Sequence, residues 1–272
     1  MKVKRVVAFY FSATNTTEKI VTAIAKGIAV DLDCEFEERP FTLPDERQPT
    51  GFNDNDLVVA GVPVYAGRVP NVLLPFLKEM VSGGNALAVP VVLYGNRNYD
   101  DALKEWRNIL EDDGFHTIAA AAFIGEHAFS KTLAAGRPDV MDMAGASQFA
   151  NRVARKVLNL ATMPAPVVVP GNDPIGPYYT PRDRKGNPID IRKVTPKTSD
   201  ACTHCGLCAK ICPMGSIDPE DVSRLTGICI KCCACEKHCP SGAKYFDDPA
   251  YLYHKHELEE GYKRRADPEY FF

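Results

Sequence analysis

The sequence predicts an α/β protein: a doubly wound, five-stranded parallel sheet followed by a small cysteine-rich α+β module. Three observations carry this. Apolar strand-like runs alternate with helical patterns over residues 1–162. Residues 163–199 are rich in proline. Nine of the ten cysteines fall within the 38 residues from Cys202 to Cys239. Alternating strands and helices build parallel sheets with helices on both faces.

Val3–Phe11 is a continuous apolar run, as in a strand buried on both faces. Thr17–Val30 has Ile20, Val21, Ile24 and Ile28 at helical spacing. Cys34–Leu43 reads as a second, more exposed strand and Asp56–Val64 as a third. Val72–Val81 reads as a helix with Pro75 in its first turn. Ala86–Tyr94 is the fourth strand, although Pro90 is awkward in a central strand. Tyr99–Asp112 is an amphipathic helix carrying the lone Trp106, His116–Ile124 the fifth strand, and Asp139–Leu160 the closing helix. Residues 163–199 form a connector whose Val167–Val169, Ile175, Tyr178 and Tyr179 suit packing along a surface. Residues 200–247 hold the cysteine module. Residues 248–272 read as a short helix and a tail that docks through Tyr270, Phe271 and Phe272.

A net charge of −3 gives no field that favours nucleic acid. No run approaches 18 apolar residues, so no membrane span is expected. The apolar stretch Val6–Phe11 is too short for a secretory h-region, and the reducing cytoplasm is the expected compartment. Cysteines crowded into one segment there favour metal over disulfides.

The spacing Cys202-x2-Cys205-x2-Cys208-x3-Cys212-Pro213 recurs 27 residues later as Cys229-x2-Cys232-x2-Cys235-x3-Cys239-Pro240. In such runs three cysteines wrap one cubane and the fourth ligates the other. The expected sets are Cys202, Cys205, Cys208 with Cys239, and Cys229, Cys232, Cys235 with Cys212. Each fourth ligand is expected at the start of a short helix. Zinc sites use separated pairs, often with histidines, and fit this pattern less well. Cys233 reads as a spare thiol, or more rarely as a replacement for Cys232. His204 and His238 lie between ligands of complete sets, and Cys34 is a small core residue.

Three loops at strand carboxyl ends suggest a cofactor site. Ser12–Thr17 combines hydroxyls with a helix N-terminus, which suits a phosphate, and equally suits plain capping. Neither a Walker lysine nor GxGxxG is present. The loops around Tyr65 and Tyr99 each pair glycine with an aromatic, so these tyrosines are candidates to stack on a flat ring.

SATNTT resembles the flavodoxin phosphate loop. With GVPVYAGRVP, YGNRNYDDAL, GEHAFSKTLAAGRPD and the cysteine runs, nearly the whole chain resembles the flavodoxin–ferredoxin fusion proteins of anaerobes. The resemblance implies a flavodoxin-like domain over 1–162 and a two-[4Fe–4S] ferredoxin domain over 200–247. It implies FMN held at its phosphate by Ser12, Thr14, Asn15, Thr16 and Thr17. Ring contacts would come from Pro63, Val64, Tyr65, Ala66 and Gly67, and from Gly95, Asn96, Arg97 and Tyr99. Asn15 stands where that loop has glycine; asparagine tolerates left-handed backbone. His127 could approach the ring but reads as an ordinary loop histidine. The expected function is electron transfer between FMN, two clusters and redox protein partners. The alternatives are a flavin-dependent reductase, with an anionic substrate near Tyr65, Arg68 and Arg97, and a regulatory module without flavin.

Overall fold

A computed structural model describes residues 3–272. Strands β1 (Arg5–Tyr10), β2 (Glu35–Pro40), β3 (Asp56–Pro63), β4 (Leu87–Tyr94) and β5 (Ala120–Ile124) pair in parallel in the order β2-β1-β3-β4-β5. This is the flavodoxin-like strand order, which opens its ligand crevice at the carboxyl ends of the strands. Helices α1 (Thr16–Leu32), α2 (Leu74–Met80), α3 (Ala102–Asp112) and α4 (Val140–Leu158) cover the two faces.

Alternation within each strand divides the core into two layers. Val6, Ala8 and Tyr10 of β1 join Leu57 and Val59 of β3 beneath α1 and α4. Val7 and Phe9 join Val58, Ala60 and Val62 on the opposite face with Phe76, Leu103 and Trp106. Trp106 is fully buried, and its indole Nε1–H donates to the Ala60 carbonyl at 2.8 Å. At Gly61 a Cβ would run into Val21 of α1, so the missing side chain lets that helix lie close on β3.

The fifth strand is not continuous. A short strand at His116–Thr117 pairs with Leu87–Ala88, and β5 resumes pairing at Val91↔Ala121. Pro90 lies between these two stretches, where the neighbour offers no ladder partner. A proline without an N–H is tolerated at that gap. Pro75 sits in the first turn of α2, where its missing donor costs nothing.

The connector is docked. Val167 and Val169 are buried in the core of the α3 face, and the Val167 N–H donates to the Thr117 carbonyl at 3.0 Å. Asp101 accepts hydrogen bonds from the Asn172 and Gly176 amides, both at 2.8 Å. At the far end β6 (Glu269–Phe271) adds an antiparallel edge strand to β5. Tyr270 stacks on Phe149 at 5.3 Å, and the Arg152 guanidinium lies 3.6 Å from the Phe272 ring centroid. Among the described residues no helix is long and apolar enough to cross a membrane.

Candidate flavin and iron–sulfur sites

The cysteine repeat is a repeat of backbone as well as spacing. His204 and Lys231 have φ of 53° and 55°; Gly206 and Cys233 have φ of 73° and 60°. These positive values curl each loop around a centre and turn its amides inward. Each curl runs into a four-residue helix, α5 (Leu207–Lys210) or α6 (Ala234–Lys237). The fourth cysteines, Cys212 and Cys239, follow these helices rather than starting one. Pro213 and Pro240 directly after them cannot continue a helix.

Cys202, Cys205, Cys208 and Cys239 line one small cavity. Cys212, Cys229, Cys232 and Cys235 line another, together with Cys233. Each cavity thus brings three closely spaced thiols of one run to the last thiol of the other, and the second also has Cys233. Backbone N–H groups already point at the sulfurs: His204 to Cys202 at 3.4 Å, Ser216 to Cys212 at 3.4 Å, and Ala243 to Cys239 at 3.2 Å. Among the described residues no three His, Cys, Asp or Glu side chains converge as a single-ion site. A zinc ion would gather its thiolates about 2.3 Å from one centre. Thiols from both runs around one small cavity, with amide donors on some of the sulfurs, fit a [4Fe–4S] cluster.

The rings differ in exposure. Cys205 is exposed, whereas Cys232 and Cys235 are buried. Burial pushes the Cys232 thiol up to about 12, and raises Cys235 and Cys229 too. Metal binding at these positions must therefore displace protons. Burial also acts to raise Cys239, but donors from Lys244, Ser241 and Ala243 outweigh it and hold the thiol below its ordinary value. Lys244 is a buried cation lining the first ring, with Nζ donating to Thr198 Oγ1 at 2.8 Å. Nothing in the cysteine spacing points to it. Cys233 is buried outside both sets, 3.4 Å from the Tyr251 hydroxyl. It has left-handed backbone at the position where the first run has Gly206, and it lines the same small cavity as Cys229, Cys232 and Cys235.

In the Ser12–Thr17 loop, Asn15 has φ 63° and ψ 0° and takes the N-cap position of α1 without a side-chain cap bond. It adopts the left-handed geometry that a glycine supplies elsewhere. Ser12 Oγ accepts from the Glu18 N–H at 3.0 Å, and the Ser12 N–H donates to Thr42 Oγ1 at 2.8 Å. The Thr16 and Thr17 amides of the first turn have no intrahelical acceptor, as helix geometry requires. Gly125, after β5, lies so close that a Cβ there would sit 3.0 Å from Thr16. Amides, hydroxyls and a 17-residue helix thus converge, and suit a phosphate.

A third, much larger cavity of about 900 Å³ opens beside the other two loops. Val64, Tyr65, Ala66, Gly67, Gly95 and Arg97 line it. Ala66 and Gly67, with φ of 51° and 75°, form the tight turn that brings Tyr65 and Arg68 together as a bridge. A Cβ on Gly67 would strike the Asp100 carboxylate. Burial, and then the charges of Cys232, Cys233 and Cys229, raise the Tyr65 hydroxyl well above its ordinary value.

Several expected ring contacts lie elsewhere. Tyr99 is buried, with its hydroxyl donating to Glu269 Oε2 at 2.9 Å and its ring 5.5 Å from Tyr94. Asn96 faces the tail: its Nδ2 donates to the Tyr262 and Arg264 carbonyls, and its Oδ1 accepts from the Ala266 N–H. Neither residue lines the cavity, and nor does Pro63. Arg68 is bound to Glu105 at 2.6 and 2.7 Å and to the Gly176 carbonyl, so it is not free for a substrate. These side chains serve the docked connector and tail, whose arrival their spacing could not reveal.

Other lining residues come from those same segments: Tyr178 and Tyr179 of the connector, His254 of α7 (Pro249–Gly261), and Ile228–Lys231 of the second cysteine loop. The aromatic pair in a proline-rich stretch is the one visible signal among them. His127 also lines the cavity; burial, and then the charges of His254, Lys237 and Arg97, hold its imidazole down at about 3. The cysteine module is fixed against the sheet domain by Lys237, which pairs with Glu126 and donates to the Ser130 carbonyl at 2.7 Å. Cys232 and Ala234 pack into the core of the sheet domain.

The 4Fe-4S binding domain model matches residues 196–218, the span that holds the first cysteine run. A search of curated protein sequences finds no match. Among solved structures, the chain is similar to a flavodoxin from the domain Archaea, at 14% identity over 57% of this chain and 99% of that one, with a TM-score of 0.42. It is similar to an NADH:FMN oxidoreductase in its apo form, at 18% identity over 60% of this chain and 92% of that one, TM-score 0.41. A third is the rubredoxin oxygen:oxidoreductase of the anaerobe Desulfovibrio gigas, at 16% identity over 58% of this chain and 38% of that one, TM-score 0.39. With the flavodoxin strand order in its sheet and a 4Fe–4S binding segment behind it, this chain has the layout of a flavodoxin–ferredoxin fusion.

Proposed function

We propose that this protein is an electron carrier that holds FMN on its sheet domain and two [4Fe–4S] clusters on its cysteine module. It would exchange electrons with separate redox proteins, in the cytoplasm, where ten free thiols stay reduced. The observation that carries the reading is a shared wall. Cys229, from the inner cysteine ring, lines the same cavity as Tyr65 and Gly95 of the ring-binding loops. Clusters of this type carry single electrons, while a flavin accepts one or two. The chain's own part is to hold the sites adjacent and dry. Ser12, Thr14, Asn15, Thr16 and Thr17 would grip the phosphate. Val64, Tyr65, Ala66, Gly67, Gly95 and Arg97 would bound the ring. The outer ring, with Cys205 exposed, is where a protein partner would meet the module.

The test is metal and flavin analysis of anaerobically purified protein, followed by a redox titration read by visible and EPR spectra. About eight irons and one FMN per chain are expected. Zinc in place of iron, or no saturable FMN binding, would overturn the reading. The alternative, a flavin-dependent reductase, is favoured by one observation: the cavity is larger than a flavin ring needs.

A further inference from the structure

A flavin ring system of about nineteen heavy atoms fills roughly 350 Å³ at the packing density of protein interiors. The cavity measures about 900 Å³, and no residue from Ser12 to Thr17 lines it. The ribityl phosphate therefore belongs outside it, and more than half of the space remains after the ring is placed.

That remainder is walled by groups with open bonding capacity. His254 is 7% exposed and has no hydrogen-bond partner among the described residues. His127 Nδ1 accepts from the Phe129 N–H at 3.1 Å, so its proton sits on Nε2, which has no protein acceptor among the described residues. The two imidazoles flank Phe129, with ring centroids 5.4 and 6.3 Å from it. Tyr179 lies 6.3 Å from His254, and the Arg97 guanidinium stacks 4.4 Å from the Tyr179 ring. Arg97, Arg192 and Lys231 line the cavity against a single lining carboxylate, Asp190, which pairs with Arg192. Arg97 also pairs with Asp100, outside the lining, through one of its nitrogens. Lys231 Nζ donates only to the Arg192 and Cys229 carbonyls.

We propose that this part of the cavity is a second binding site, for a small flat organic anion. Its carboxylate would sit against the cationic wall of Arg97, Arg192 and Lys231. Its body would lie along Tyr179 and Phe129, and its polar edge would meet His127 and His254. The site rests on the flavin reading for what lies beside it, but its walls belong to this chain.

The probes are cinnamate and fumarate, one aromatic and one aliphatic conjugated carboxylate. Each is titrated by calorimetry into protein whose FMN content has been measured. One saturable site per chain is expected for at least one probe. His254→Leu and Tyr179→Ala should each weaken it about tenfold, the loss of one hydrogen bond and of one aromatic contact, with FMN content unchanged. Three results overturn the site: no saturable heat from either probe up to about 10 mM, equal affinity in parent and both variants, or displacement of FMN by the probe. Binding that persists in protein unable to take FMN, and still fails in the variants, would uphold the site and sink the flavin reading.

Discussion

Asn96 gives the sharpest test of how the carboxyl-terminal tail shapes the site. Its side chain makes three hydrogen bonds to the tail, at 2.6, 2.8 and 3.2 Å, and its φ is 67°. At about 1 kcal/mol for each bond, Asn96→Gly should weaken tail docking by about 3 kcal/mol while keeping the backbone unstrained. Asn96→Ala should cost about 1 kcal/mol more, because alanine carries the left-handed penalty in full. The assays are urea unfolding and hydrogen exchange at the amides of residues 262–271. A loss of about 3 kcal/mol corresponds to roughly a hundredfold faster exchange through local opening. FMN affinity is measured in parallel. If both variants stay within about 0.5 kcal/mol of the parent with tail exchange unchanged, the latch assigned to Asn96 is wrong. If Asn96→Gly instead lowers FMN affinity while tail exchange holds, Asn96 touches the cofactor, as its loop position suggests.

Asp113, at the carboxyl end of α3, has a buried carboxylate oxygen without a partner; burial, then Asp112, push it up to about 7. A carboxyl raised in the folded state destabilises the protein when ionised, fully above that value and not at all below the unfolded value near 3.8. Asp113→Asn should therefore raise Tm at pH 8, less at pH 5.5, and a pH-independent gain would refute the assignment. Cys232→Ser should lower bound iron by about four per chain, whereas Cys233→Gly should leave it unchanged, as measured by iron analysis and EPR. Gly67→Ala puts a Cβ into Asp100 at φ 75° and should cost about 1–2 kcal/mol with weaker FMN binding; a neutral result in thermal unfolding would show that the turn can shift.

The strand and helix alternation was legible because each element is long enough to show its period. One element departs from this. His116–Ile124 reads as one strand, but only the neighbour's Pro90 explains its break. The loops were legible only as positions at strand ends. Tyr65 and Tyr99 look alike in sequence, each aromatic beside glycine. One lines the cavity, and the other is drawn into the core by Glu269, 170 residues later in the chain.

The 4Fe–4S binding segment and the doubly wound sheet could be read from the residues alone. Both rest on short-range rules: ligand spacing within one loop, and side-chain periodicity within one element. It took the folded chain to bring Cys229, the connector tyrosines and His254 into one cavity with the Tyr65 and Gly95 loops. Those segments lie between about 60 and 260 along the chain. What joins them is the docking of a connector, a module and a tail onto the sheet. That docking depends on shape and on buried polar contacts between distant segments, which no local pattern encodes.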